Sequence, residues 1–450
     1  MVKTDSKENE TIFNVTTIAI DYDDVCPGET STTSTAEGNG EFDWNEELQG
    51  YVLSATGYGI ILTHVIGGRL SEKFGPKYII GSSLFFTGLL TVLCPLFARW
   101  HVIAFIVLRV LVGATSGVIL PSMQVIISRW YTVEERQFMS SIILSSISFC
   151  LVATLSASGI LADALGWPFV FYLCGGLTIF WVIPWLLFIY DSPEVHPFIS
   201  DEEKNHILNS LVKYKNDKAT VMVPWISILT SAPVWAHIVF GFGHSWVSAT
   251  LISELPTYLS RILHFNLKQS GLTSAIPFIF TPIGGMFFGY VGQKVRMNGY
   301  LSPLNSMRFF NTICSVLGPI ILFSITLVGC DAMATLVLLC CTQLATSAYS
   351  GGSLVNNLDL ANNYAGTISG ISITIISLTS IFSPLVVGEL TNNDQTLTQW
   401  HIVFYISALI TLCSYVFFTI FGSVEEQPWN RPVSDNRESQ ADVSEKQQPV

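Results

Sequence analysis

The sequence predicts an all-α, polytopic membrane protein, and three observations carry that expectation. Half of the 450 residues are hydrophobic and only 12% are charged. The mean hydropathy is +0.50, which over such a length fits a multi-pass membrane chain and excludes an ordinary soluble enzyme. The third observation is a series of apolar runs, each close to the roughly 20 residues that cross a bilayer. Eleven are legible, at 48–66, 78–97, 102–126, 138–160, 168–189, 233–257, 271–291, 309–328, 332–354, 364–388 and 400–421. Pro and Gly within them are tolerable in membrane helices, and Trp44, Trp100, Trp130, Trp167, Trp225 and Trp400 fall near the expected interfaces.

Lys and Arg in alternate connections set the orientation. Fifteen of them, from Arg69, Lys73 and Lys77 through Lys294, Arg296 and Arg308 to the tail, lie on one side, against Arg99, Arg261 and Lys268 on the other. The first side, and with it the carboxyl tail, is expected in the cytoplasm. The net charge of -12 is concentrated in residues 1–47, where twelve acids meet only Lys3 and Lys7. This acidic leader belongs outside or in a lumen and implies no nucleic-acid partner. It carries the glycosylation sequons Asn9-Glu10-Thr11 and Asn14-Val15-Thr16. The nine cysteines are an odd number without C-x-x-C spacing. They read as small hydrophobes inside apolar runs, with a bridge from Cys26 to Cys330 on the outer side as the alternative. No serine or cysteine triad, Walker loop or metal-ligand spacing is present, so no enzyme, cofactor or metal site is expected.

The organisation is expected to be a leader at 1–47, a transmembrane half at 48–190, a cytoplasmic linker at 191–224, a second half at 225–422 and a cytoplasmic tail at 423–450. A weak internal repeat supports two halves: Pro282–Arg296, PIGGMFFGYVGQKVR, occupies the place that Val65–Lys77 holds earlier, a Gly-rich helix end followed by a basic turn. The earlier copy contains the most distinctive segment of the chain, Gly68–Lys77, GRLSEKFGPK. Gly67 and Gly68 allow close helix packing, while Glu72, Lys73 and Lys77 place both charge signs at the membrane surface. There an acidic group can meet a neighbouring helix N-terminus, so Gly68, Glu72, Lys73, Gly75 and Lys77 are read as a breakable conformational latch.

GRLSEKFGPK resembles the signature loop of the major facilitator superfamily. Asp191–Ile207, DSPEVHPFISDEEKNHI, further resembles a segment that follows the sixth helix in solute carrier family seventeen, the anion:cation symporters that include sodium-phosphate cotransporters, sialin and vesicular glutamate transporters. Locally, Pro193 and Pro197 end the membrane helix, and Ser200 with Glu203 makes a capping box for a surface helix. Phe42-Asp43-Trp44, Arg109–Gly117, Trp167–Tyr172, Leu255–Tyr258, Asn357–Gly366 and Trp400–Tyr405 also look like this family, so the resemblance covers about residues 12–430. It implies a major facilitator fold of two pseudo-symmetric halves. Members of the family have twelve helices. Ile12–Ile20 resembles only the end of the first of them, so about eleven spans are expected instead of twelve, and Ile12 stands where relatives tend to have an anion-binding arginine.

Arg109 is the only Lys or Arg inside an expected span. A buried guanidinium must find a carboxylate, a carbonyl or an anion, which makes it the leading substrate contact, and the matching arginine is functional in the family. His244 sits where glutamate-transporting relatives carry a second arginine, and a histidine bears positive charge conditionally. Ser116 and Gln124 stand where sialin-like members have a glutamate and a histidine tied to proton coupling, a departure that favours the phosphate-transporting branch. Glu254, near the outer end of its helix, is a remaining acid for cation binding or gating. The reading is therefore a secondary transporter of small inorganic or organic anions working by alternating access, coupled to sodium or protons, monomeric, in the plasma membrane or a lysosomal or vesicular membrane. A truncated, non-transporting isoform is the alternative. A pore or receptor is disfavoured because neither a selectivity filter nor a ligand-binding domain is visible.

Overall fold

Long apolar segments bounded by Gly, Pro and charged residues fold as α-helices, because a backbone in lipid must satisfy its own hydrogen bonds. The computed structural model describes residues 26, 41, 42, 44, 46–211, 223–263, 267–391 and 396–430. The first half consists of α1 (Glu46–Phe74), α2 (Pro76–Trp100), α3 (Val102–Ser116), α4 (Ile119–Trp130), α5 (Arg136–Leu165) and α6 (Trp167–Phe188). A short α7 (Asp201–Leu211) follows in the linker, with α8 (Trp225–Leu229) at its end. The second half comprises α9 (Ala232–Arg261), α10 (Leu267–Met297), α11 (Pro303–Thr312), α12 (Gly318–Val328), α13 (Ala332–Thr346), α14 (Asn356–Leu360), α15 (Ala365–Ser377), α16 (Thr379–Thr391) and α17 (Leu397–Phe421).

Within the first half α1 packs on α3 and α2 on α6. Within the second, α9 packs on α15, α16 and α17, and α12 on α13. Helix pairs that join the halves include α1 with α15, α4 with α15 and α5 with α10. Residues 1–25, which carry the sequons and the expected remnant of a first helix, lie outside the described residues.

Among the described residues ten helices are long and apolar enough to cross a membrane. The eleventh expected span, 233–257, falls in α9, which at 30 residues is long enough but more polar. The reason lies in its neighbours: α15, α16 and α17 pack around it, and Ser245 and Thr250 bond to Thr379 and Ser383 of α16 where other helices meet lipid.

The segment read as a charged turn is mostly helix. α1 continues through Gly68–Phe74, because nothing stronger than glycine interrupts it before Gly75-Pro76, and the connection shrinks to Gly75. Pro76 then occupies the first turn of α2, where its missing N–H costs nothing. Gly75 has φ 91°, and a Cβ there would stand about 2.8 Å from the Asp191 carboxylate, so both conformation and space demand glycine. That carboxylate accepts from the Lys77 N–H at 2.8 Å and thus caps α2. The first residue of the linker motif thereby fixes the latch helix. Gly67 and Gly68 do not serve the packing of α1 on α2: Gly67 abuts Val118 just before α4, and Gly68 lies against Gly366 of the other half.

The linker behaves as its residues require. The Ser200 hydroxyl accepts from the Glu203 N–H at 3.2 Å and starts α7. His196 is held by Tyr190 and Trp130 at 4.7 and 5.6 Å between ring centroids, with Nδ1 accepting from the Phe198 N–H, a structural role.

The cysteine reading needs correction. Cys26 and Cys330 form a disulfide across 304 residues of sequence, with Cα atoms 5.4 Å apart. Cys26 is buried in the apolar cluster of Tyr258, Leu259 and Trp400, so this point of the leader docks on the outer end of the second half. Nor are the others all buried, since Cys150, Cys341 and Cys413 lie on the outward surface of their helices. Farther along the leader, Glu41 pairs with Arg99 at 2.8 Å and accepts from the Trp167 indole at 3.0 Å, while Phe42 stacks on Trp44. The bond from Arg99 lowers the pKa of the Glu41 carboxyl from its ordinary value. The leader therefore touches both halves.

Counting reactive thiols with a maleimide under denaturing, non-reducing conditions should show two fewer than after reduction, and Cys26→Ser or Cys330→Ser should each expose exactly one new thiol. An unchanged count on reduction would contradict the bridge.

Candidate functional site

Arg109 lies in α3, which descends from the outer surface behind a cap in which His101 Nδ1 accepts from the Ile103 N–H at 3.2 Å. Seven residues from the start of the helix, at a rise of about 1.5 Å each, place it roughly 10 Å in. Its Nε is buried without a hydrogen bond, and none of the ion pairs among the described residues involves it. Cys94 of α2 is its titratable neighbour. Arg109 is thus half-buried, with its Nε donor unused.

Ser116 is two turns farther along α3, its hydroxyl turned back to the Gly113 carbonyl at 3.1 Å. Gln124, on α4, is buried with Oε1 unpartnered. Glu254 is half-buried in α9 and outside the ion pairs of the described residues.

His244 projects from α9 into irregular helix. Its ring stacks on Tyr349 with centroids 4.3 Å apart and planes 6° from parallel, and Nδ1 lies 3.5 Å from Cys314 Sγ. Cys314 belongs to a π-helical turn, Ile313–Leu317, between α11 and α12. Tyr349 belongs to a 3₁₀ turn, Ser347–Gly351, where the helix begun by α13 tightens. Departures from regular helix at membrane depth are tolerated where protein or a water-filled cavity replaces lipid, and they mark functional sites disproportionately. Phe240 continues this aromatic wall against Tyr349 at 5.8 Å.

Of the five residues read as a latch, Gly68 and Glu72 meet the other half. Glu72, nearly at the end of α1, accepts from the Thr367 N–H at 2.6 Å through one carboxylate oxygen and from the Thr367 hydroxyl at 2.7 Å through the other. Thr367 is in the first turn of α15, so the carboxylate sits at a helix N-terminus of the opposite half, the favourable end of the helix dipole. Arg69 reaches the same carboxylate at 3.0 Å, and Arg129 donates to the Glu72 carbonyl at 3.0 Å. Lys73 and Lys77 stay outside this contact: Lys73 lies over Phe74, and Lys77 over Tyr190 at 4.2 Å.

A second junction uses the later repeat. Arg296 donates to Asp359 at 3.1 Å and to Gln137 of α5 at 3.2 Å, and Gln137 donates to the Ser350 carbonyl. The repeat lacks an acid of its own and takes one from α14. Sequence reasoning missed Thr367, Gln137, Asp359, Cys314 and Tyr349. Asp359 had a usable signal, an acid inside an otherwise neutral family segment. The others carry no charge, and their partners are remote in sequence.

Two bundles of membrane-length helices, with an arginine inside one of them and polar contacts such as Glu72 to Thr367 joining the two, have the architecture of a multi-pass membrane transporter. The sequence matches the family described as Major Facilitator Superfamily over residues 28–384. It is 34% identical to sialin from Homo sapiens over 390 residues, 86% of this chain and 78% of that protein. It is 32% identical to sodium-dependent phosphate transport protein 3 from Mus musculus over 388 residues, 86% and 81% of the two chains. The fold matches that of the proton:xylose symporter XylE with a TM-score of 0.63 at 13% identity, covering 84% of this chain and 87% of that one. The chain belongs to the major facilitator superfamily and, within it, to solute carrier family seventeen.

Replacing a carboxylate at a partly buried helix N-terminus by an amide should cost up to about 2 kcal/mol of the closed state, or roughly thirtyfold in its population. Glu72→Gln should therefore speed the labelling from the cytoplasmic side of a cysteine placed at Ser145, which lies in the α5–α10 seam beside Gly285. Unchanged labelling would remove Glu72 from the latch.

Proposed function

We propose that this chain is a secondary active transporter of small anions, which binds its substrate at Arg109 and exposes it alternately to the two sides by rocking the halves about the seams α1–α15 and α5–α10. The observation that supports it most directly is the Arg109 guanidinium, enclosed in a membrane helix bundle with buried donor capacity unused. A cation so placed is stabilised by an incoming carboxylate, phosphate or similar oxyanion, for which the planar guanidinium offers paired donors. His244, on the opposite half, is the second proposed contact, its plane fixed by Tyr349. The latch supports alternating access, because a carboxylate of one half meets a helix N-terminus of the other through hydrogen bonds that can be exchanged for water. A relative named for sodium-dependent phosphate transport makes inorganic phosphate one anion to try, with inward sodium or protons as the proposed driving ion and Glu254 as the proposed coupling or gating acid. Ser116 and Gln124 take the place of the acid and histidine of the sialin-like branch, which fits sodium better than protons. One chain is the transporting unit.

Uptake by the reconstituted protein, measured over a panel of labelled anions with sodium and pH gradients imposed separately, should reveal one saturable substrate class. A charge-assisted hydrogen bond is worth about 1.5–3 kcal/mol, so Arg109→Ala should lower uptake at limiting substrate by roughly ten- to 150-fold at unchanged surface expression. Arg109→Lys, which keeps the charge and loses the fork, should fall between. Undiminished saturable uptake by Arg109→Ala would overturn the assignment.

A further inference from the structure

The residues after α17 run back beneath the second half instead of leaving it. Gln427 donates its backbone N–H to the Leu360 carbonyl at 2.9 Å, and its side-chain oxygen accepts from the Ser231 hydroxyl at 3.3 Å. Asn430 is fully buried. Its side-chain oxygen accepts from the Asn363 N–H at 3.1 Å, its carbonyl accepts from Asn363 Nδ2 at 3.0 Å, and its own amide donates to Glu426 at 2.6 Å. The Trp429 ring rests 6.2 Å from that of Tyr364, within the apolar cluster of Ile228, Leu360, Tyr364 and Ile368. Of the hydrogen bonds just named, all but that to Ser231 land on Leu360, on Asn363 or on the tail itself.

That target leads directly into α15, which begins at Ala365 and presents Thr367 to Glu72. The first turn of α15 is therefore gripped twice, from the first half through Thr367 and from the tail through the connection that precedes it. The angle at which a helix presents its N-terminus depends on the residues leading into it. A hydrogen bond across the seam tolerates only a few tenths of an ångström of drift. We propose that Gln427–Asn430 is a positioning element of the cytoplasmic latch, with Asn430 as the positioning residue that holds Asn363 and Tyr364 so that Thr367 meets Glu72. This rests on the latch reading of Glu72. It assigns the tail segment a part in the transport cycle beyond fastening the second half together.

The test uses the full chain with the seven free cysteines replaced and a reporter cysteine at Ser145, labelled from the cytoplasmic side. Asn430→Ala should speed labelling about three- to tenfold, Asn363→Ala should do the same from the other partner, and Glu72→Gln combined with Asn430→Ala should be no faster than Glu72→Gln alone, because both act through one contact. The thermal midpoint in detergent is measured beside each; a purely structural staple would lower it and leave labelling of the folded fraction unchanged, which overturns the proposal. Additive effects of Glu72→Gln and Asn430→Ala overturn it as well. A response to Glu72→Gln with none to Asn430→Ala or Asn363→Ala removes only the tail from the latch, whereas no response to Glu72→Gln removes the latch reading itself.

Discussion

Where the two halves of this transporter meet, a carboxylate is bound by backbone and hydroxyl donors, and much of the neighbouring architecture delivers those partners to each other. Glu72 is met by the Thr367 N–H and hydroxyl at the start of α15, with Arg69 at its side. A buried pair of full charges would be costly to desolvate and costlier to separate. A helix N-terminus offers only a fraction of a charge, so the contact is less costly to separate than such a pair would be. Its delivery depends on α1 remaining helical through Phe74 and on Gly68 and Gly366 allowing the two helices to touch, since a Cβ on either would occupy the carbonyl of the other. Asp191, by capping α2, fixes the helix that begins where α1 ends.

The second seam solves the same problem with different chemistry. Arg296 gathers Asp359 from its own half and Gln137 from the other, and Gln137 reaches across to carbonyls at the tightened end of the helix begun by α13. The ion pair stays within one half, while the bonds that cross the seam end on neutral groups. In both seams charge is kept local and neutral donors or acceptors span the boundary, so opening the seam need not expose an unpaired ion.

The sequence announced what depends on composition and on local order. Span positions followed from hydropathy, and the family followed from segments such as GRLSEKFGPK and DSPEVHPFISDEEK. It was less informative wherever a residue's meaning depends on a remote partner. The 67–77 segment read as a turn because its charges resemble a loop, yet charged residues are ordinary in the last turns of a helix. α9 read as an ordinary span, although it is shielded by protein and more polar for that reason. His244 could be singled out by position, but its stacking on Tyr349 and its approach to Cys314 depend on a π turn and a 3₁₀ turn that no hydrophobic period reveals. The bridge of Cys26 to Cys330 could be raised only as an alternative, because pairing across 304 residues leaves no mark in spacing.

That bridge bears on how the molecule is made. Cys330 follows α12, so its sulfur becomes available only after the first half and much of the second have been threaded into the membrane. Until then the leader thiol has to wait, unpaired, in an oxidising compartment that also holds other reactive partners. Closure of the bond is consequently a covalent record that a chain has been assembled end to end, and a cell that screens newly made membrane proteins by their free thiols would read an unfinished copy of this one at its first cysteine.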